Sequence, residues 1–208
     1  MLNRYARATA TRILTPVAKL LLRLGVSPDI VTIIGTLGVC LGALVFFPRG
    51  ELLIGVLVIT AFVFSDTVDG IMARQLDRSG TWGAFLDSTL DRMGDAAIFA
   101  GLAIWFFQGG DDRVMAWLAL ACLITGSLVS YARARAEGLG MRADVGIAER
   151  ADRLVAALVT TGLVGLGLPE VVLKVVLAVL AVASLVTVIQ RVLVVRRQAG
   201  AGSAAASS

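Results

Sequence analysis

The chain has 208 residues, 58% of them hydrophobic and 16% charged, with a formal net charge of +4 and no histidine. A water-soluble domain of this length carries more charge, and a transmembrane barrel shows short alternating segments that this sequence lacks. Its long apolar runs define an all-α, polytopic membrane protein built as one compact unit.

The N-terminus does not read as a secretory signal, because Arg4, Arg7 and Arg12 interrupt it and no cleavage pattern follows. From Ile13 to Leu24 the apolar residues Ile13, Leu14, Val17, Leu20, Leu21 and Leu24 share one helical face, with Arg12, Lys19 and Arg23 on another. Residues 1–26 are therefore expected to hold an interfacial amphipathic helix on an anionic membrane surface. Six transmembrane helices follow, over 29–47, 51–76, 82–108, 114–136, 152–168 and 171–195, making a membrane domain of residues 27–197. The small, polar end, residues 198–208, is expected to be a disordered tail. All of the 19 Lys and Arg residues except Arg49, Arg113 and Lys174 fall on the side of the N-terminus. That bias places both termini on the cytoplasmic side of the membrane and accounts for the net charge without a nucleic-acid partner. Cys40 and Cys122 sit inside apolar runs and read as inert thiols. Gly38 and Gly42 make a small-residue notch for close packing in the bundle.

The stretch from Ser65 to Arg92 places Asp66, Asp69, Asp87 and Asp91 among these apolar helices. A carboxylate near lipid is costly, so something must offset it. The second and third spans are expected to form an antiparallel hairpin turning near Arg78–Ser79, with the four aspartates at matching depths. Spacings of i,i+3 and i,i+4 put each pair on one helical face. Two facing pairs converge on one point, about 22 Å of helix from the outer end and so in the cytoplasmic leaflet. Four clustered carboxylates cannot all ionise alone; divalent cations resolve this, and hard oxygen ligands suit two magnesium ions, or manganese. The competing view has four separate aspartates paired with Arg74, Arg78 and Arg92. Such a metal site implies a phosphorylated substrate. Gly70 lets a ligand approach the backbone or serves helix packing, and Arg74 is placed to grip a diphosphate. With no histidine, a general base near neutral pH must be another group, most plausibly a carboxylate.

The pattern Asp66-x2-Asp69-Gly70-x2-Ala73-Arg74-x8-Gly83-x3-Asp87-x3-Asp91 resembles the signature of the CDP-alcohol phosphatidyltransferases, with every defining position present. The resemblance implies a six-helix membrane homodimer, two metal ions, and transfer of a phosphatidyl group from CDP-diacylglycerol with release of CMP. It implies that Asp66, Asp69, Asp87 and Asp91 bind metal, that Asp91 is also the general base, and that Gly70, Arg74 and Thr81 hold the CDP portion. The segment "SPDIVT" is similar to the family's approach to its first span, which places Asp29, Ile30, Val31 and Thr32 near the nucleotide; an N-cap role for Ser27 or Asp29 explains it equally well. Asp95 continues the series outside the signature, where second-sphere support or helix pairing is expected.

The acceptor is read from arginines at the cytoplasmic helix ends, Arg133, Arg135, Arg153 and Arg191. Arginines around a cavity suit a phosphate on the incoming alcohol, although the positive-inside bias alone also puts arginines there. "SYARARAE", "ERADRL" and "VIQRV" resemble the corresponding stretches of one branch of the family, the actinobacterial phosphatidylinositol phosphate synthases. That resemblance implies myo-inositol phosphate as acceptor, with Arg133, Arg153 and Arg191 binding its phosphate. Arg135 either pairs with Glu137 or Glu149 or faces substrate. The expected reaction is direct displacement at the phosphorus that bears the diacylglycerol, with the lipid tails remaining in the bilayer. Two rivals stand beside it. Glycerol 3-phosphate as acceptor, giving phosphatidylglycerol phosphate, keeps the chemistry. A cation transporter replaces it, but the carboxylates cluster at one leaflet and no charged path leads onward.

Overall fold

A computed structural model describes residues 14–63, 65–76 and 80–206, without the side chains of Asp66, Thr67 and residues 201–206. Expectations for Arg4, Arg7, Arg12, Ile13 and the turn at Arg78–Ser79 fall outside these residues. Every described element is a helix, and among the described residues there is no strand. Helix α1 covers residues 14–23. The others are α2 (Pro28–Leu41), α3 (Leu52–Val63), α4 (Ser65–Gln75), α5 (Thr81–Gln108), α6 (Arg113–Glu137), α7 (Arg150–Gly165) and α8 (Glu170–Ala206). A π-helical turn, Gly42–Phe46, and a short 3-10 turn, Phe47–Arg49, extend α2.

Four stretches are long and apolar enough to cross a membrane: Pro28–Arg49, Leu52–Gln75, Arg113–Glu137 and Glu170–Gly200. Helices α5 and α7, also expected as spans, do not meet that test, for physical reasons. The first half of α5 carries Asp87, Asp91, Arg92 and Asp95, and α7 is only 16 residues long.

The bundle is packed tightly at one end and open at the other. Phe47, Ile59, Leu102, Phe106, Met115, Leu173 and Leu177 are buried in one cluster from α2 through α8. Apolar burial drives lipid-embedded helices together only weakly, so close contact over small residues matters more. The expected notch is such a contact: a Cβ on Gly38 would collide with the Phe62 ring of α3, and one on Gly42 would stand 2.9 Å from Ile59. Cys122 is buried with its Sγ 3.2 Å from the Leu177 carbonyl oxygen, and Cys40 is half-buried; both are free thiols.

An ion pair closes the packed end. Asp112 caps α6, accepting from the Met115 N–H at 3.1 Å, and also accepts from the Lys174 ammonium of α8. The Lys174 hydrogen bond, followed by the Met115 N–H, holds the Asp112 carboxyl below the usual aspartate range. Stability from a depressed carboxyl is present above its unfolded pKa and lost as pH falls through the folded one. Asp112→Ala should therefore lower the detergent-solubilised protein's unfolding free energy by about 1 kcal/mol at neutral pH. The difference from the native chain should shrink on acidification, as read by thermal denaturation.

Helix α1 buries Ala18 fully and Leu14, Leu21 and Leu22 partly, against Val68, Ile71 and Met72 of α4. The face that packs is thus one step round from the predicted apolar stripe, whose Val17, Leu20 and Leu24 are exposed. Helix α8 runs on to Ala206, into the stretch where a tail was expected. Alanine is the best helix former, and extending an existing helix avoids the nucleation penalty. Gln198 adds an anchor, since its side-chain amide accepts from the Arg142 N–H at 3.0 Å and donates to the Arg142 carbonyl at 2.6 Å.

Candidate active site

The open end holds two cavities on either side of α5. The first, about 490 Å³, is lined by Asp29 and Thr32 of α2, Asp69, Gly70 and Ala73 of α4, and Trp82, Gly83 and Asp87 of α5, among others. Among the described residues α4 and α5 do not pack on each other along their length; both pack on α2, and the gap between them is the cavity. Small residues on the facing sides explain the gap. A Cβ on Gly83 would meet nothing within 4 Å, and one on Gly70 would meet only the Arg74 guanidinium, at 3.8 Å. Gly70 therefore does not serve helix packing, and Arg74 reaches back over the cavity wall.

Ser27 caps α2, accepting from the Ile30 N–H at 3.4 Å, which leaves Asp29 and Thr32 for the cavity. The Thr32 hydroxyl donates to Asp69 Oδ2 at 2.6 Å, and the Trp82 indole donates to Asp29 Oδ2 at 3.1 Å. Val31 instead packs on the Ala18–Met72 cluster and Ile30 is half-exposed; neither lines the cavity, and Thr81 lies just beside it at the start of α5. Trp82 was not anticipated. It was the one indole inside the acidic signature, a signal the sequence offered.

Asp69 is 8% exposed, with Asp87 and Asp91 within charge–charge range. Among the described residues no Lys or Arg pairs with Asp69 or Asp87. A buried carboxylate beside two more, with no cationic side chain paired to it among the described residues, is unfavourable while charged, and all-oxygen donors of this kind fit a hard divalent ion. Among the described residues no three acidic, histidine or cysteine side chains stand close enough to hold one ion by themselves. The Asp66 side chain, fourth of the signature, lies outside them.

Asp91 is held differently. Arg150 Nη1 lies 2.9 Å from Asp91 Oδ2, while Arg150 Nη2 and Nε lie 3.0 Å from Asp95 Oδ1. Arg92, one of three arginines offered as partners in the competing view, is more distant, at 3.6 Å from Asp91 and 3.9 Å from Asp95. Asp95 thus joins α5 to α7. Arg150 had counted only toward the charge bias, although its i,i+3 spacing from Arg153 puts both on one face of α7.

The second cavity, about 840 Å³, is lined by Ser88, Arg92, Arg133, Arg150, Arg153 and Arg191, among others. All three predicted acceptor arginines thus meet at one cavity. Arg153 is 2% exposed, crosses Gly126 of α6 and donates from Nη1 to the Ala148 carbonyl at 3.0 Å. Arg191, 6% exposed, donates from Nε to Val145 at 2.9 Å and from Nη1 to Val129 at 2.6 Å. Arg133 is more exposed and faces Glu137 at 2.9 Å and Asp144 at 3.0 Å. Glu137 therefore pairs with Arg133 rather than Arg135, since residues two apart on a helix point away from each other. The loop 138–149 that roofs this side is tied to α8, where Thr187 Oγ1 accepts from the Ile147 and Ala148 N–H groups, both at 3.2 Å.

A bundle of long apolar helices with an acidic cavity between α4 and α5, lined by Asp69 and Asp87 of the aspartate signature, defines a class. The sequence model of the CDP-alcohol phosphatidyltransferase family matches residues 25–149, and the chain belongs to that family. It is 55% identical to the phosphatidylinositol phosphate synthase of Streptomyces avermitilis, across 100% of this chain and 88% of that one. The phosphatidylinositol phosphate synthase of Mycobacterium tuberculosis is 43% identical across 94% of this chain and 91% of its own. The crystal structure of that M. tuberculosis synthase with CDP-DAG bound has a TM-score of 0.85 to this fold at 43% identity, covering 88% of this chain and 94% of that one. Its complex with manganese and citrate has a TM-score of 0.84 at 42% identity, covering 88% of each chain.

Proposed function

We propose that the chain transfers the phosphatidyl group of CDP-diacylglycerol to a myo-inositol phosphate, giving phosphatidylinositol phosphate and CMP. The observation that carries this is the pair of cavities flanking α5, one acidic and one walled by arginines, with Asp91 paired to Arg150 of the second. The likeness to phosphatidylinositol phosphate synthases over the whole chain supports the same acceptor.

The CDP portion lies in the acidic cavity, where Arg74 faces the diphosphate, the open faces of Gly70 and Gly83 admit it, and Asp29, Thr32 and Thr81 border the nucleotide. Asp66, Asp69, Asp87 and Asp91 hold two divalent cations, magnesium or manganese, which when bound neutralise the diphosphate and the departing CMP. The acceptor phosphate lies against Arg153 and Arg191, with Arg133 at the rim. Asp91 takes the proton from an inositol hydroxyl, whose oxygen then attacks the phosphorus bearing the diacylglycerol. The arginines contribute mainly by orienting the acceptor.

Six spans complete this reading. Helix α5 has 28 residues, about 42 Å of helix, with its charges confined to the half that faces the cavities. The charge bias puts the cavities and both termini on the cytoplasmic side of the bacterial cell membrane. The exposed Val17 and Leu20 of α1, with Leu24 just past its end, suit a helix lying in the lipid interface. Residues 27–197 then form the membrane domain, in contact with membrane lipids, and the family resemblance supports a homodimer.

The test is CMP release by purified protein in detergent with magnesium, CDP-diacylglycerol and one acceptor at a time. Inositol phosphate should support turnover; turnover with glycerol 3-phosphate alone would move the chain to the rival acceptor, and ion flux without CMP release would favour a transporter. Gly83→Leu adds a finer check. The fold should survive, because the new side chain enters open space. The KM for the CDP-lipid should rise on the order of tenfold, the equivalent of about 1.4 kcal/mol of binding.

A further inference from the structure

Asp95 lies outside the signature, and Arg150 was not among the expected site residues, yet the two link α5 to α7 beside Asp91. Asp91 and Asp95 are one turn apart on the same face of α5. The guanidinium of Arg150, first residue of α7, meets both. Its Nε lies 3.0 and 3.1 Å from the two Asp95 oxygens, and its Nη1 lies 2.9 Å from Asp91 Oδ2. Arg150 also lines the arginine-walled cavity, as does Arg153 one turn along the same helix.

We propose that Asp95 and Arg150 are positioning residues: Asp95 fixes the plane of the Arg150 guanidinium, and Arg150 aims the Asp91 carboxylate at the acceptor cavity. This rests on the reading of Asp91 as the general base. A planar fork held by two oxygens of one carboxylate has little freedom to rotate, so its remaining N–H direction sets where Asp91 Oδ2 stands. Because α7 carries both Arg150 and Arg153, the same helix start sets the place of the base and of the acceptor phosphate. A role in stability alone is a poor fit. The three side chains are 34%, 20% and 17% exposed for Arg150, Asp91 and Asp95, and partly solvated ion pairs contribute little to stability. Proton transfer, by contrast, is sensitive to errors well under an ångström.

The test compares wild type, Asp95→Asn, Arg150→Lys and the double variant in the CMP-release assay, with kcat and both KM values measured. Lysine keeps the charge of Arg150 and loses the fork. Each single variant should lower kcat about 10- to 100-fold, the usual range for loss of a supporting contact. Both KM values should remain within about threefold, and the double variant should be no worse than the singles, because the pair acts as a unit. Singles within about threefold of wild-type kcat, losses that multiply in the double variant, or changes confined to KM would each overturn the proposal. Asp95→Asn conserves volume, so it decides the matter even if Arg150→Lys fails to fold. A wild-type enzyme inactive with inositol phosphate would sink the functional reading itself; an active one with unaffected variants would sink only this proposal.

Discussion

Asp91→Asn should leave the helical fold and part of the metal affinity in place while lowering turnover about 10²- to 10⁴-fold, the usual contribution of a positioned general base. The chain has no histidine to substitute for it. Asn is isosteric and still offers an oxygen to a cation, but it cannot accept the proton of an attacking hydroxyl. The ion pair with Arg150 becomes a neutral amide contact, so the α5–α7 junction keeps its Asp95 link. Metal retention is read by manganese titration and turnover by CMP release. Near-native turnover with Asn at this position would remove Asp91 from its assigned role.

The second large effect concerns the acceptor. Arg191→Met should raise the KM for inositol phosphate roughly 10- to 100-fold, from the loss of a charged hydrogen bond worth about 1.5–3 kcal/mol, and leave the KM for CDP-diacylglycerol nearly unchanged. The positive-inside bias accounts for a cation at this end of α8 but not for its rigidity. Arg191 is held by carbonyls of two other elements, Val129 of α6 and Val145 of the loop 138–149. A guanidinium merely snorkelling to the surface has no reason to be so fixed, whereas preorganised donors suit a phosphate that must arrive in one orientation. An equal rise in both KM values would point to general loosening of the bundle instead.

The aspartate signature was legible because helical spacing is local: i,i+3 and i,i+4 put Asp66 with Asp69 and Asp87 with Asp91 on their faces whatever the rest of the chain does. Gly38 and Gly42 were legible for the same reason. What stayed hidden depends on the distance between helices. Small residues on facing sides of α4 and α5 allow close packing as readily as a gap; the described residues take the gap, and a cavity backed by α2 lies between the two helices. Arg150 was invisible as a partner because Asp95 is 55 residues away. The anchoring of loop 138–149 by Thr187 and Gln198 likewise joins distant segments. At the end of α8, Ala, Gly and Ser read as low complexity, although alanine readily extends a helix already formed.

The central claim is that Asp66, Asp69, Asp87 and Asp91 share divalent ions at the acidic cavity. Anomalous scattering from crystals grown with manganese tests it most directly. The account predicts two manganese peaks between α4 and α5, each bridged by these carboxylates, and their loss in Asp69→Asn crystals. Manganese bound elsewhere on the chain, with no peak among these aspartates, would contradict it.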